Sequence, residues 1–399
     1  MRRLVSRGAD LRLPHASALV AAFALALGTS AAPAAAQSSL GVQGFGYPAG
    51  QFSTRAQGTG GALGEFDPVS VVNPTSLLEF GRTFAAFQYD PEFRRLAVGN
   101  ARQNNTVARF PIIAVGAPLR RRYMISLSAS TLLDRTFNAE FADTARFSDG
   151  TFAAGRQRVE SNGSIADVRL AGAMQLRPWL RVGLSGHVLT GENRLVSSRQ
   201  FDSTAVFSAI NDSTSIDYTG AAATLGLAVR PVRGVQIAGS YRAGGTLKTS
   251  RNDSTLSSAN APDRAGVALR VDRVTGAVFA VAYSHTSWSR MRGLGTSALD
   301  VRDAAELNGG VEALGPRVGD FPLLLRLGAR RRTLPFGVGG AQIRETSYGG
   351  GFGLPLGGGR AVADAALQRA SRTPVGGAGA VTGARERALQ LSIGFTIRP

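Results

Sequence analysis

The chain has 399 residues, with 45 basic against 27 acidic side chains, 50 glycines and no cysteine. A chain of this length folds without staples, and the lack of cysteine excludes disulfide frameworks, thiolate zinc sites, iron–sulfur clusters and cysteine nucleophiles. The formal charge of +18 comes almost wholly from arginine, Lys248 being the only lysine, and invites a nucleic-acid reading that the placement of the charges must support.

Residues 1–36 read as a secretory signal peptide. Arg2, Arg3, Arg7 and Arg12 form a basic leader, residues 18–28 a short apolar core, and Ala34-Ala35-Ala36 before Gln37 a small-residue cleavage site. The core is shorter than the ~20 residues of a membrane-spanning helix. Residues 37–82 have a different texture, rich in glycine and without sustained alternation. Pro48, Pro68 and Pro74 each remove a backbone donor there and break a helix or central strand. Such a segment, placed ahead of the first strand, can fold back into a lumen as a plug. Asn73 before Pro74 reads as a turn or a short helix start.

Residues 83–399 show strict alternation. Leu389, Leu391, Ile393, Phe395 and Ile397 share one face, while Gln390, Ser392, Gly394 and Thr396 share the other. Val182, Leu184 and Val188 alternate with Arg181, Ser185 and His187; Leu225 and Leu227 with Thr224 and Gly226; Leu325 and Leu327 with Arg326 and Gly328. Six short turns, from 118–121 to 357–359, alternate with seven longer polar stretches, at about 96–105, 139–159, 198–217, 248–263, 289–304, 332–342 and 373–385. They separate fourteen expected strands, beginning near 83, 106, 122, 160, 180, 218, 234, 264, 276, 305, 323, 343, 360 and 386. A sheet in lipid cannot leave an edge unpaired, so it must close. The expected fold is therefore all-β: a transmembrane antiparallel β-barrel of about fourteen strands in the cell outer membrane, with short turns on the periplasmic side. Trp179, at a short turn, and Trp288, at the other end of a strand, fit the two membrane interfaces.

On the inward face fall Arg169, Arg181, His187, Arg242, Arg326 and Arg330, with Asp167, Glu345 and Asp364. A basic lining can hold a carboxylate head group, though interior arginines paired with interior acids fill a barrel in the ordinary way. Catalytic readings fare poorly. Ser185 and His187 share a strand face, but neighbouring inward positions need not align, and the sequence offers no third member or oxyanion site. The Asn-Asp-Ser-Thr repeats at 211–214 and 252–255 suit outer-loop turn chemistry better than calcium. No metal ligands, cofactor or nucleic-acid partner is expected. Outer-membrane lipid and lipopolysaccharide are likelier partners for surface arginine.

Gly60-Gly61-Ala62, then Asp67, then Asn73-Pro74 with Leu77 resembles the N-terminal signature of the FadL/TodX outer-membrane hydrophobic-solute transporters and of the related PorV-type barrels. Leu327-Gly328-Ala329-Arg330, Leu334-Pro335-Phe336, 348–356 and 389–397 are similar to the family's closing strands. Thr75 stands where the family usually has alanine. The resemblance implies a fourteen-stranded barrel occluded by an N-terminal hatch, which passes hydrophobic molecules such as long-chain fatty acids without energy input. It places hatch or gating roles on Gly60, Gly61, Asp67, Asn73 and Pro74. The alternative it carries is a noncatalytic PorV-like barrel that assists secretion or assembly.

Overall fold

The computed structural model describes residues 45–98, 101–146, 152–201, 210–294, 300–318, 321–338, 340–376 and 384–399. The expected signal peptide, residues 1–36, and residues 37–44 lie outside them. The chain forms a closed antiparallel sheet of fourteen strands. In chain order these are β1 (Phe84–Val98), β2 (Ala101–Arg109 and Ile112–Arg120), β3 (Tyr123–Asp134 and Phe137–Arg146), β4 (Phe152–Arg177), β5 (Leu180–Phe201), β6 (Ile210–Val232) and β7 (Val235–Arg251). There follow β8 (Ser254–Asn260 and Arg264–Val274), β9 (Ala277–Thr286), β10 (Ala304–Val318), β11 (Phe321–Val338), β12 (Ala341–Leu356), β13 (Ala361–Val375) and β14 (Arg385–Ile397). Each pairs with its chain neighbours. The seam is β14 on β1, with Ile393 opposite Tyr89 and Ile397 opposite Ala85, which removes both edges.

Alternation sets the two faces. In β5, Leu184 and Val188 point outward and stay exposed, while Ser185 and His187 point inward and are buried. Leu170, Leu225, Leu327 and Tyr348 continue the outer apolar band around the wall. Water would not tolerate an apolar surface of that extent, whereas acyl chains match it. Breaks in β2 and β8 fall at Pro111 and at Pro262, residues that cannot donate to the ladder.

The long polar stretches differ from expectation. Most are not loops but continuations of paired strands. β1 and β2 stay paired to Val98 opposite Ala101, and β7 and β8, past a register shift at Thr249/Ser250, to Arg251 opposite Ser254. Asn252 and Asp253, at φ 48° and 64°, make the two-residue turn between the latter pair. Asn211–Thr214, expected in a loop, lies within β6. β4, β5 and β6 run 26, 22 and 23 residues, where a membrane crossing takes roughly 9–11. Beyond the lipid both faces of a strand are wet, so pairing persists while the apolar period disappears.

Residues 45–82 run inside the space that the sheet encloses. They contain a short helix, α1 (Thr54–Gly58), and a 3-10 helix at Pro74–Glu79. Thr59 meets β11 so closely that a Cβ on Gly328 would lie 2.1 Å from its carbonyl carbon. A Cβ on Gly60 would lie 2.7 Å from the Ala329 backbone, and Gly60 is left-handed at φ +65°. Trp288 corrects the interface expectation: it is 4% exposed and packs inside, edge-on to Phe45 at 6.1 Å, while Trp179 is 53% exposed.

Candidate functional site

The interior is layered. At the long-loop end Phe45, Leu132, Leu133, Tyr218, Trp288, Leu334, Phe336 and Ile343 form an apolar cluster.

Beneath the cluster lies a charged layer around Tyr47. The guanidinium carbons of Arg94, Arg109, Arg332 and Arg372 stand 5.4, 4.9, 4.9 and 4.7 Å from its ring centroid, and the Tyr47 hydroxyl donates to Glu345 at 3.0 Å. Arg372 spans three carboxylates: Glu92 at 2.6 Å, Glu345 at 2.7 Å, and Glu386. Arg109 pairs with Glu92 at 2.5 Å and Asp134 at 2.6 Å. These residues come from β1, β2, β3 and β11 to β14, so the layer ties residues 45–48 to the wall across the β14–β1 seam. Sequence reading missed it. Glu92-x-Arg94 and Arg330-x-Arg332 carried the alternation, but Tyr47 sits in a stretch without period.

Below this, α1 forms a polar partition. Arg55 donates to Glu312 at 2.6 and 2.9 Å, the Gln57 amide to Asp90 at 2.7 Å, and Thr54 shares a 2.8 Å hydrogen bond with Ser392. A cavity of about 100 Å³ lies on the long-loop side, bordered by Tyr47, Trp288, Arg109, Arg242, Arg264 and Arg332. One of about 250 Å³ lies on the short-turn side, bordered by Arg55, Asp67, Glu79, Phe80, Arg326 and Arg398.

Each candidate from the sequence is buried. Asp67 accepts from Ser53 Oγ and, at 3.2 Å, from the Val69 amide, which makes it a turn-forming residue. Asn73 caps the 3-10 helix: its Oδ1 accepts from the Thr75 amide at 3.0 Å, and its Nδ2 donates to the Gly239 carbonyl at 3.0 Å. Pro74 takes the first helical position and lies where a Cβ on Gly183 would meet it at 3.0 Å. Gly61 shares the close approach of Gly60, its ideal Cβ 3.0 Å from Asn308 Nδ2.

Of the arginines, Arg326 joins Glu312 at 2.7 Å to Asp364 at 2.6 Å, and Arg330 lies 3.7 Å from Glu345. Arg181 pairs with Glu79. Burial raises the Glu79 carboxyl, but Arg181, Arg270 and Arg230 outweigh that and hold it below its ordinary range. Arg242 is 3.9 Å from Asp167. Arg169 is 1% exposed, and its Nε and Nη1 meet no hydrogen-bond partner among the described residues.

One expectation is corrected. Ser185 and His187 do align, and a third member exists: Ser185 Oγ is 3.1 Å from His187 Nε2, and His187 Nδ1 is 2.8 Å from Asp167 on β4. Thr224 Oγ1 also reaches Nε2, at 2.8 Å. The register of β4 against β5 brings Asp167 there, and a single sequence does not disclose register. The group lacks the rest of a hydrolase. Ser185 lies in mid-strand, where amides are committed to the ladder rather than aimed at an oxyanion, and neither cavity described above is bordered by the three residues. It serves as a satisfied polar network of the wall.

No family model matches the chain, and no curated protein matches it. Solved structures do. The fold is similar to a Pseudomonas aeruginosa FadL homologue, with a TM-score of 0.59 and 12% identity over 88% of this chain and 99% of that one. The CymD monoaromatic hydrocarbon channel aligns at 0.55 and 14%, over 87% and 97%, and the P. putida toluene transporter TodX at 0.55 and 12%, over 88% and 99%. At such identities the likeness is one of fold, and it agrees with the FadL/TodX resemblance read from the sequence.

Proposed function

We propose that the chain is exported by its signal peptide and works in the outer membrane as a passive, noncatalytic channel for hydrophobic solutes such as long-chain fatty acids, with residues 37–82 as the hatch. The observation that carries this reading is the apolar cluster around Phe45, Trp288 and Phe336 at the long-loop end of the lumen, directly above the charged layer around Tyr47. An apolar solute leaving water gains by entering such a patch, at roughly 25 cal/mol per Å² buried. Arginines just below it, Arg109, Arg242 and Arg332, suit the carboxylate of an amphiphile whose tail occupies the cluster, and unpaired Arg169 N–H groups suit the same charge deeper in the wall.

The hatch would shift at the polar α1 partition, which holds the two cavities apart. Exchange of its hydrogen bonds with water costs about 1 kcal/mol for the neutral Thr54–Ser392 bond and roughly 1.5–3 kcal/mol for each bond to a charged group. Outer-leaflet lipopolysaccharide fits the exposed arginines of the long-loop end. The second reading, a PorV-like secretion or assembly partner, draws on the length of β4 to β6, which offer surface beyond the lipid.

The test uses the W179F variant, in which Trp288 is the remaining tryptophan. Long-chain fatty acid brominated along its tail should quench Trp288 saturably, and an unbrominated acid should compete. Absence of quenching, with co-purification of another exported protein through the outer hairpins, would favour the second reading.

A further inference from the structure

The two ends of the barrel carry charge differently. At the long-loop end arginines interleave with acids and four of them pair, Arg156 with Glu140, Arg158 with Glu160, Arg290 with Asp263 and Arg302 with Asp300, while exposed Arg95, Arg194 and Arg251 join no ion pair among the described residues. At the short-turn end the connections bear exposed arginine with scarcely any acid: 120–122 between β2 and β3, then Arg177, Arg233, Arg273, Arg317 and Arg360. Asp272, the acid among the described residues of those turns, already lies 3.7 Å from Arg270. None of these turn arginines takes part in an ion pair among the described residues. A collar of unneutralised cations is thus built onto one rim, where repulsion between them opposes its persistence unless an anion is present.

The height of the collar identifies the anion. Leu119, Leu176, Val232 and Val274 are exposed apolar residues adjacent in sequence to Arg120, Arg177, Arg233 and Arg273. A strand rises ~3.3 Å per residue, so Arg120, Arg177 and Arg233 each start one step beyond the apolar band, and Arg273 one step before Val274, the last residue of its strand. Trp179, also exposed, marks the same level. That is the depth of lipid phosphates, and a guanidinium grips a phosphate with two parallel hydrogen bonds.

We infer that the short-turn arginine collar of this barrel binds anionic phospholipid head groups, enriching phosphatidylglycerol-type lipid around that rim. The inference rests on the reading that the outer apolar band lies in lipid. Anionic lipid then anchors the barrel vertically and sets its insertion depth.

Trp179 is a built-in reporter, because Trp288 is enclosed. The mature chain is reconstituted in vesicles of phosphatidylethanolamine and phosphatidylglycerol, with bromine on one lipid or the other at equal mole fraction. Brominated phosphatidylglycerol should quench Trp179 at least about twofold more, since each basic side chain near a charged surface adds attraction. Raising salt to about 1 M, where the Debye length is about 3 Å, should bring the ratio towards one. Joint R120Q, R121Q, R122Q, R177Q, R233Q and R273Q substitution should do the same at low salt, and the matching lysine set should retain most of the preference. A ratio near one in the native protein, or one that survives both salt and the glutamine set, overturns the inference. So does salt-sensitive capture of soluble polyglutamate with no lipid preference, which would assign the collar to an acidic polymer. Failure of the protein to float with vesicles at all would instead refute the membrane reading, a separate outcome.

Discussion

At the scale of single residues, the interior depends on charges that have no water to fall back on. Arg372 is the clearest instance, since it holds Glu92, Glu345 and Glu386 together. R372A leaves those carboxylates with fewer cations in a buried site, and breaking a buried pair costs about 3–5 kcal/mol. The urea midpoint for loss of the compact, heat-modifiable electrophoretic form should fall markedly; an unchanged midpoint would show that the layer does not stabilise the barrel. Glu79 gives a pH-dependent counterpart. Its carboxyl is lowered from an ordinary value of 4.5 by Arg181, Arg270 and Arg230. The stabilisation is therefore complete above 4.5 and is lost as pH falls through the lower folded value. Hydrogen exchange at residues 74–80 should accelerate in that acid window, and E79Q should flatten the dependence. The Ser185–His187–Asp167 group shows what residue types alone conceal: two members were visible as inward neighbours on one strand, but the third needed the β4–β5 register.

At the scale of elements, strand periodicity was legible wherever lipid faces one side. Leu184 and Val188 against Ser185 and His187, or Ile393 and Phe395 against Ser392 and Gly394, alternate because one side meets acyl chains and the other the lumen. Fourteen strands followed from that pattern, and the structure has fourteen. The hairpin extensions were not legible, because Asn211–Thr214 or Ser254–Asn260 have water on both faces and so no apolar period. Trp288 was misplaced for a related reason: an aromatic near a strand end can turn inward when the lumen offers Phe45. Where the internal segment lies against the wall, small residues decide the fit. G328V would drive a side chain into Thr59, whose carbonyl carbon lies 2.1 Å from the ideal Cβ. We expect residues 58–64 to move away from β11, with larger ion conductance through single barrels in a planar bilayer. Unaltered conductance would show that this contact does not close the path.

At the scale of the whole molecule, the proposed function gives closure, an outer apolar band and a layered interior one purpose: carrying an apolar solute past a polar surface without fully hydrating it. The basic collar, with scarcely any acid among its turns, would give the barrel a fixed vertical sense if it binds anionic lipid as inferred, whereas arginines at the long-loop end are interleaved with acids. The most direct test is uptake. Cells whose outer membrane lacks other routes for long-chain fatty acids would be supplied with the chain or with an empty vector, and entry of labelled fatty acid and of a small labelled sugar compared. The account expects the chain to speed fatty-acid entry severalfold while leaving sugar entry unchanged. Equal fatty-acid entry with and without the chain, with the barrel verified as inserted by its heat-modifiable migration, would contradict it.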